Sequence, residues 1–189
     1  MVHKRSLQPL ILLACALIAP GAALAQTTQL SGIGTVDYTL VHKFHKMVGV
    51  SKAMVVRGTV DASGLKVMAR ANVGTFDSEN SNRDSHMMET VEAERYPWAI
   101  VRAVLPGFKL PTSPGTIKVT VQAAVELHGV AVNHPIDITL ETKDANHFHA
   151  SFTFTESLTA HKIERPSLLF VAVDDLITVV GNADLTAKP

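Results

Sequence analysis

Cysteine is nearly absent from this 189-residue chain. The single residue, Cys15, falls in an N-terminal apolar segment, so the rest of the sequence has no thiol. We therefore expect a folded domain without disulfides, thiolate metal sites or a cysteine nucleophile. The short sequence "LLAC" around Cys15 leaves lipidation of that residue open as an alternative.

Residues 1–25 are typical of a secretory signal peptide. Two basic residues precede the apolar run "LILLACALIAPGAALA", which ends in a small-x-small cleavage site. This run is short and contains Pro-Gly, so we expect no membrane-spanning helix in the processed protein. Cleavage before Gln26 would leave one domain, residues 26–189, in the periplasm or outside the cell.

A strong charge of one sign is also missing. Once the leader is removed, 15 basic residues face 17 acidic ones, so net charge favours neither nucleic acid nor an anionic membrane as a partner. The chain has no phosphate-binding loop, dinucleotide fingerprint or zinc ribbon. These absences leave no established sequence signature of an enzyme.

Alternation of apolar and polar residues is what the chain has in abundance. In 116–127, "TIKVTVQAAVEL", apolar side chains recur at every second position, as in a strand with one buried face. The same pattern covers "GTVDYTLVH", "GLKVMARANV", "PIDITLET" and "FHASFTF", and further strands are expected near 53–60, 98–105, 168–173 and 176–186. About eight or nine strands separated by turn signals predict an all-β barrel or sandwich. Alanines at inward positions leave space inside, which favours the barrel.

One segment, "NRDSHMMETVEAERYP", lacks this alternation. We interpret residues 82–94 as a short inserted helix, capped by Asn82 and ended before Pro97. Arg83, Asp84 and His86 lie at its start. Asp84 suits the positive end of the helix, and Arg83 could bridge to a carboxylate, for which we name Asp77 and Glu164.

Catalysis and metal binding are the competing interpretations of these residues. Asp84, Ser85 and His86 are adjacent, whereas a Ser–His–Asp relay draws its members from separate segments. Ser85 also lacks the Gly-x-Ser-x-Gly elbow. Eight histidines follow the leader, but none shows a strong metal-binding spacing, and His147 and His149 share the expected solvent face of a strand. We predict neither catalytic nor metal-binding residues.

Six segments in the same order resemble the YceI-like family of secreted bacterial polyisoprenoid-binding proteins. They are "TVDYTLVHKF", "VRGTVD", "GTFDSENSNRDSHM", "ERYPWAIVRA", "ELHGVAV" and "KIERPSLL", which together span nearly the whole processed chain. Arg-Asp-x-His-Met followed by Tyr-Pro is the most specific part. The family's usual aromatics are missing from "METVEAER", and Arg165 is followed by "PSLLF" instead of the usual x-x-Phe-Gly.

The resemblance implies a single extended lipocalin-like antiparallel β-barrel of about eight strands, with the helix across it. It implies no catalytic activity and no cofactor, but a bound isoprenoid lipid or quinone-like molecule. Inward-facing strand residues would line the pore, and His42 and Arg83 would lie near its mouth. The predicted ligand-binding residues are therefore Val36, Tyr38, Leu40, His42, Val67, Ala69, Arg83, Val119, Val121, Phe152 and Phe154.

Two alternatives remain open at this stage. The chain could be a stress or electron-transport accessory protein that acts through a membrane or cytochrome partner, or as a homodimer. It could also be a histidine-based metal protein or a hydrolase. Lipid extraction, pull-down and metal analysis separate these hypotheses.

The structural interpretation of the Arg-Asp motif predicts the effect of one substitution. Asp84→Ala should lower the free energy of unfolding by about 1 kcal/mol, because a helix cap is lost. Chemical denaturation of the two proteins measures this difference. An unchanged melting temperature together with loss of an activity would contradict the structural interpretation.

Overall fold

The computed structural model describes residues 27–43, 45–168 and 171–189, so the predicted signal peptide and Cys15 lie outside the described residues. Eight antiparallel strands close into a barrel, which confirms the predicted fold class. A two-stranded hairpin of β8 and β9 is separate from this barrel. In chain order the strands are β1 (Thr28–His42), β2 (His45–Asp61), β3 (Gly64–Asn72), β4 (Trp98–Pro106), β5 (Gly115–Leu127), β6 (Val130–Thr142), β7 (His147–Ser157), β8 (Ser167–Leu168), β9 (Val171–Ala172) and β10 (Leu176–Lys188).

Closure of the barrel depends on β1. It pairs with β2 along one edge and with β10 along the other, from Gln29 opposite Lys188 to Thr39 opposite Thr178. Every other neighbouring pair in the barrel is consecutive in sequence apart from β7 with β10. The sheet therefore has no free edge, and its inward side chains share one interior.

Helix α1 (Ser81–Thr90) follows a short 3-10 turn at Val73–Thr75. It starts one residue earlier and ends four residues earlier than predicted, because Val91 is the C-cap and Glu92 takes a left-handed φ of 46°. A second 3-10 turn lies at Thr159–His161. No helix within the described ranges is long and apolar enough to span a membrane.

The predicted strand at 168–173 is wrong as a barrel strand. Leu168 belongs to β8 and Val171–Ala172 form β9, two strands that pair with each other, and Val173 lies outside both. In contrast, β2 is twice as long as its predicted span of 53–60, since it begins at His45. Lys46, Gly49 and Ser51 interrupt the alternation there, although the backbone pairs with β1 along most of that length.

Opposite ends of the barrel differ in how they are filled. At the end where β1 begins, Leu30, Leu140 and Phe148 are buried and pack with Phe108 and Leu110, so that side chains close the interior. At the end where β1 finishes, α1 and a crossing segment of residues 158–168 and 171–173 lie across the opening. This second end holds the candidate site.

The turn between β5 and β6 is locked by an aromatic contact. His128 and Gly129 have φ values of 53° and 69°, the pattern of a type I′ two-residue hairpin. Tyr96 places its ring edge-on to His128, with centroids 4.9 Å apart, and a Cβ added to Gly129 would lie 2.4 Å from the Tyr96 ring. The Tyr-Pro and His-Gly segments of the sequence therefore meet in space.

Gly129→Ala should destabilise the barrel more than Gly107→Ala. Both positions have positive φ, which costs an L-residue about 1–2 kcal/mol, but Gly107 has no neighbour within 4 Å of an added Cβ. Gly129→Ala adds a collision with Tyr96, so we expect a total loss of about 2–4 kcal/mol. Urea unfolding of both variants measures the difference. Equal losses would show that the Tyr96 contact is unimportant.

Candidate functional site

One face of α1 lies over the open end of the barrel. Arg83, His86, Met87 and Thr90, spaced three or four residues apart, all line the space beneath it. Val91, just after the helix, is buried with Val73 and Ile177 in the cluster that holds the segment down. The helix is thus part of the wall of the site.

The start of α1 is capped by Asn80 and not by Asn82 as predicted. The Asn80 side-chain oxygen accepts the backbone N–H of Arg83 at 3.0 Å. The predicted cap by Asp84 is wrong: its side chain accepts the backbone N–H of Ser78 at 3.1 Å and also the Ser78 hydroxyl, and Asp84→Ala would remove these bonds instead of a helix cap. Asp84 therefore holds the loop that precedes the helix.

Arg83 binds the same residue from the other side. Its Nε donates to the Ser78 hydroxyl oxygen at 2.8 Å, and its Nη2 donates to the Ser78 carbonyl. The predicted bridge to Asp77 or Glu164 is wrong, since the described residues contain no ion pair between Arg83 and a carboxylate. Buried Ser78 thus has all its polar atoms engaged by the Arg83–Asp84 pair, which fixes the loop to the helix.

The remaining members of the motif do not form a relay. His86 is exposed and its Nδ1 lies 3.3 Å from Glu89 on the next turn. Asp84 is engaged with Ser78, and Ser85 is exposed. In the described ranges no group of three His, Cys, Asp or Glu side chains is arranged to hold a metal ion.

Tyr38 joins the motif to the barrel wall. Its ring lies across Gly49 on β2, where a Cβ would come within 2.5 Å of the ring, and it packs at 5.6 Å against Phe76. Burial raises the pKa of the Tyr38 phenol, the nearby Asp84 carboxylate raises it further, and Arg83 opposes them. The Arg-Asp pair is therefore close enough to act electrostatically on the cavity wall.

Beneath the helix is a cavity of about 740 Å³. Its wall is mostly apolar and comes from β1, β2, β3, β4, β5, β7, β10, α1 and the crossing segment of residues 158–168 and 171–173. Most of the predicted ligand-binding residues line it, namely Val36, Tyr38, Leu40, His42, Ala69, Arg83, Phe152 and Phe154. Their assignment to a ligand stays a prediction, but the fold brings them to one space.

Three predicted residues do not line the cavity. Val121 is 3% exposed in the core cluster below it, and Val119 and Val67 pack against that cluster. All three have the inward parity that the sequence pattern indicated. They lie too near the filled end, because strand parity gives the face of a residue but not its depth along the barrel.

Several cavity residues were not predicted. Met47, Met54 and Met87 line it, as do apolar side chains from the segment that crosses the barrel end: Leu158, Ile163 and Val173. Met47 and Met54 lie in a stretch where the sequence alternation is weak. The described part of the crossing segment has only a 3-10 turn and the two-residue strands β8 and β9, which are too short for periodicity to assign inward side chains.

A polar cluster is also built into the cavity wall. Glu156 continues the inward alternation of Phe152 and Phe154 and is 4% exposed. Its Oε2 lies 2.6 Å from His134 Nε2, and its Oε1 lies 3.1 Å from Nε2 of fully buried His161. The His161 contact is an ion pair without hydrogen-bond alignment.

The charges in this cluster support each other. His161 Nδ1–H donates to the Val130 carbonyl at 2.8 Å, so a proton on Nε2 makes the ring an imidazolium facing Glu156. Burial lowers the pKa of His161, but Glu156 and the Val130 carbonyl outweigh it and raise that pKa above its ordinary 6.5. Burial raises the pKa of Glu156, but His161 and His134 outweigh it and hold that pKa below 4.5.

These features define a class of protein: a closed lipocalin-like barrel, filled at one end, with one apolar cavity beneath a helix at the other. The YceI-like domain family matches residues 26–184, and the chain belongs to that family. Among curated proteins no sequence matches the chain.

Solved structures share this fold at low sequence identity. A polyisoprenoid binding domain from Saccharophagus degradans, implicated in plant cell wall breakdown, has a TM-score of 0.70 at 13% identity and covers 85% of this chain and 98% of its own. BcnA of Burkholderia cenocepacia has a TM-score of 0.64 at 13% identity, with coverages of 80% and 95%. The YCEI protein of Campylobacter jejuni has a TM-score of 0.58 at 15% identity, with coverages of 79% and 90%.

Glu156→Gln should remove a pH-dependent part of the stability. The lowered Glu156 pKa stabilises the fold above pH 4.5 and this is lost as pH falls through the folded value. The raised His161 pKa stabilises it below pH 6.5 and this is lost as pH rises through the folded value. The difference in unfolding free energy between wild type and variant should therefore peak between these two pH values.

Urea unfolding across this pH range measures that difference. Glu141→Gln is the matched control, since Glu141 is an exposed glutamate on the neighbouring strand β6. A difference for Glu156→Gln that does not vary with pH would contradict the coupling between Glu156 and His161.

Proposed function

We propose that this chain is a non-enzymatic binding protein for an isoprenoid-like amphipathic lipid, acting as a carrier or reservoir in the periplasm or outside the cell. The observation that carries the proposal is the cavity of about 740 Å³ under α1. Small-ligand sites are concave, mostly apolar and about 300–1,000 Å³ in volume. The description of the Saccharophagus degradans domain as polyisoprenoid-binding supports the same ligand class.

The lining suits a branched hydrocarbon chain. Small side chains at Ala69 and Ala71 leave the space open, and Met47, Met54 and Met87 provide flexible apolar surface around it. Removing such a chain from water is favourable by about 25 cal/mol per Å² of apolar area. A ligand with few hydrogen-bonding groups fits a wall that offers few partners.

Charge distribution sets the orientation of the ligand. Glu156 puts a carboxylate in the cavity wall, with both oxygens already in contact with histidines. Burying an anionic head group against it without a free cation is unfavourable. At the helix side of the cavity Arg83 and Asn80 accompany Glu89, which lies 3.3 Å from His86. We therefore expect the head group near Arg83, with the chain pointing toward Phe152 and Phe154.

Lipid analysis of protein purified from its native host tests this proposal. We expect native mass spectrometry to show a bound adduct, and solvent extraction to release a lipid with isoprenoid fragmentation. Protein that is empty after gentle purification, and that binds no added isoprenoid, would overturn the proposal.

A matched pair of variants links the lipid to the cavity. Ala69→Phe places a ring in the space and should lower affinity for a fluorescent isoprenoid probe by about tenfold, because overpacking costs about 1–3 kcal/mol. Ala131→Phe adds the same ring on the exposed face of β6 and should leave binding unchanged. Equal binding by both variants would place the ligand elsewhere.

A further inference from the structure

Basic residues are concentrated in one segment beside the cavity, although the net charge of the whole chain is zero. Residues 38–60, which include the turn between β1 and β2, contain three lysines, one arginine and two histidines but no acidic residue. The remaining sequence must then carry the compensating acidic charge. From the net charge we expected no attraction to an anionic membrane. A net charge does not show that the basic residues are clustered in one segment.

The three lysines of this segment are exposed and have no ion-pair partner among the described residues. Lys43, His45, Lys46 and Lys52 are all exposed. No ion pair joins these lysines to a carboxylate among the described residues, and the sequence outside them, 1–26, 44 and 169–170, contains no Asp or Glu. Their charge is therefore available to an external anion.

Exposed apolar side chains accompany these cations. Val48 is 42% exposed on β2, and Val171 is 39% exposed on the hairpin of β8 and β9. The hairpin is held next to the turn by His42 Nε2, 3.2 Å from the Val171 carbonyl, and by the backbone N–H of Asp174, 2.9 Å from the Val41 carbonyl. Basic and apolar groups thus share one corner of the molecule, which we call the basic corner: Lys43, His45, Lys46, Val48, Lys52 and Val171.

The basic corner adjoins the cavity. Met47 and His42 line the cavity from within, whereas Lys46 and Val48 line a groove of about 720 Å³ on the outside of β2. Asp77 and Glu79 also line this outer groove, but Asp77 accepts the backbone N–H of Glu79, and Arg83 lies beside them. The basic corner itself contains no carboxylate; Asp77 and Glu79 lie across the groove from it, and Asp174 lies at the foot of the hairpin.

We propose that the basic corner docks on an anionic lipid bilayer, so that the cavity end faces the membrane surface. Lysines bind the lipid phosphates, while Val48 and Val171 contact the apolar boundary below the head groups. Charge complementarity is the argument for this partner: neither nucleic acid nor an acidic protein requires exposed valines between the lysines. The purpose of the contact, lipid exchange, rests on the proposed function, but the docking itself can be measured without any isoprenoid.

Vesicle flotation with charge-matched variants tests the docking. The triple variant Lys43→Gln, Lys46→Gln, Lys52→Gln should lose about a hundredfold in affinity for vesicles of phosphatidylcholine and phosphatidylglycerol in equal parts, since each lysine near an anionic surface contributes a factor of about five. The control Lys66→Gln, Lys109→Gln, Lys118→Gln removes the same charge from exposed sites away from the basic corner and should bind like wild type.

A labelling experiment tests the orientation. In a Cys15→Ser background the chain has no other thiol, so Val171→Cys can carry an environment-sensitive fluorophore. We expect a blue shift on adding the anionic vesicles, and none for Val104→Cys, which replaces another exposed valine on β4. Vesicles of phosphatidylcholine alone should give no shift with either variant.

Three results would overturn the proposal. They are equal binding to vesicles with and without phosphatidylglycerol, equal losses in the two triple variants, and the absence of vesicle binding by wild type. None of these results bears on whether the cavity holds a lipid, because lipid extraction and probe binding measure that separately.

Discussion

Pairing of β1 with both β2 and β10 is the constraint on which the rest of the structure depends. An eight-stranded barrel is just wide enough to be filled by side chains or to hold one small ligand. Phe148 and its neighbours fill one end. At the other end alanines and methionines leave a cavity, and α1 with residues 158–168 and 171–173 covers it. The closed sheet thereby forms the walls of the site. The size of the inward side chains along each strand determines which end of the barrel is filled and which is open.

Strand alternation made most of the barrel predictable, because each strand has one buried and one exposed face. Prediction failed where that contrast disappears. The first half of β2 carries Lys46, Gly49 and Ser51; Tyr38 lies over Gly49, and Ser51 hydrogen-bonds Thr75. The end of α1 was also mispredicted: Glu92 has a left-handed φ of 46°, next to Val91, which is buried in a cluster with Val73 and Ile177. Both are tertiary effects that a local pattern does not contain.

The residues of the candidate site were predictable only as far as strand alternation determines which side chains face inward. Parity placed Val36, Phe152 and Phe154 inside, and they line the cavity. It could not place Val121, which faces inward below the cavity. Glu156 shares the parity of Phe154, but a glutamate at an inward position is normally a sign that a strand has ended. Only the structure shows the two histidines that accommodate its charge, one opposite on β6 and one from the segment that crosses the barrel end.

The Arg83–Asp84 pair has a structural role that explains its position at the mouth. Both side chains bind Ser78, so they rigidify the loop by which the chain enters α1. The same loop borders the outer groove beside the basic corner, and the same helix borders the cavity. A lipid bound and exchanged as proposed would pass this boundary. By binding Ser78, Arg83 and Asp84 therefore hold the start of α1 in place between the outer groove and the cavity. A helix without these bonds would be free to move over the open end of the barrel.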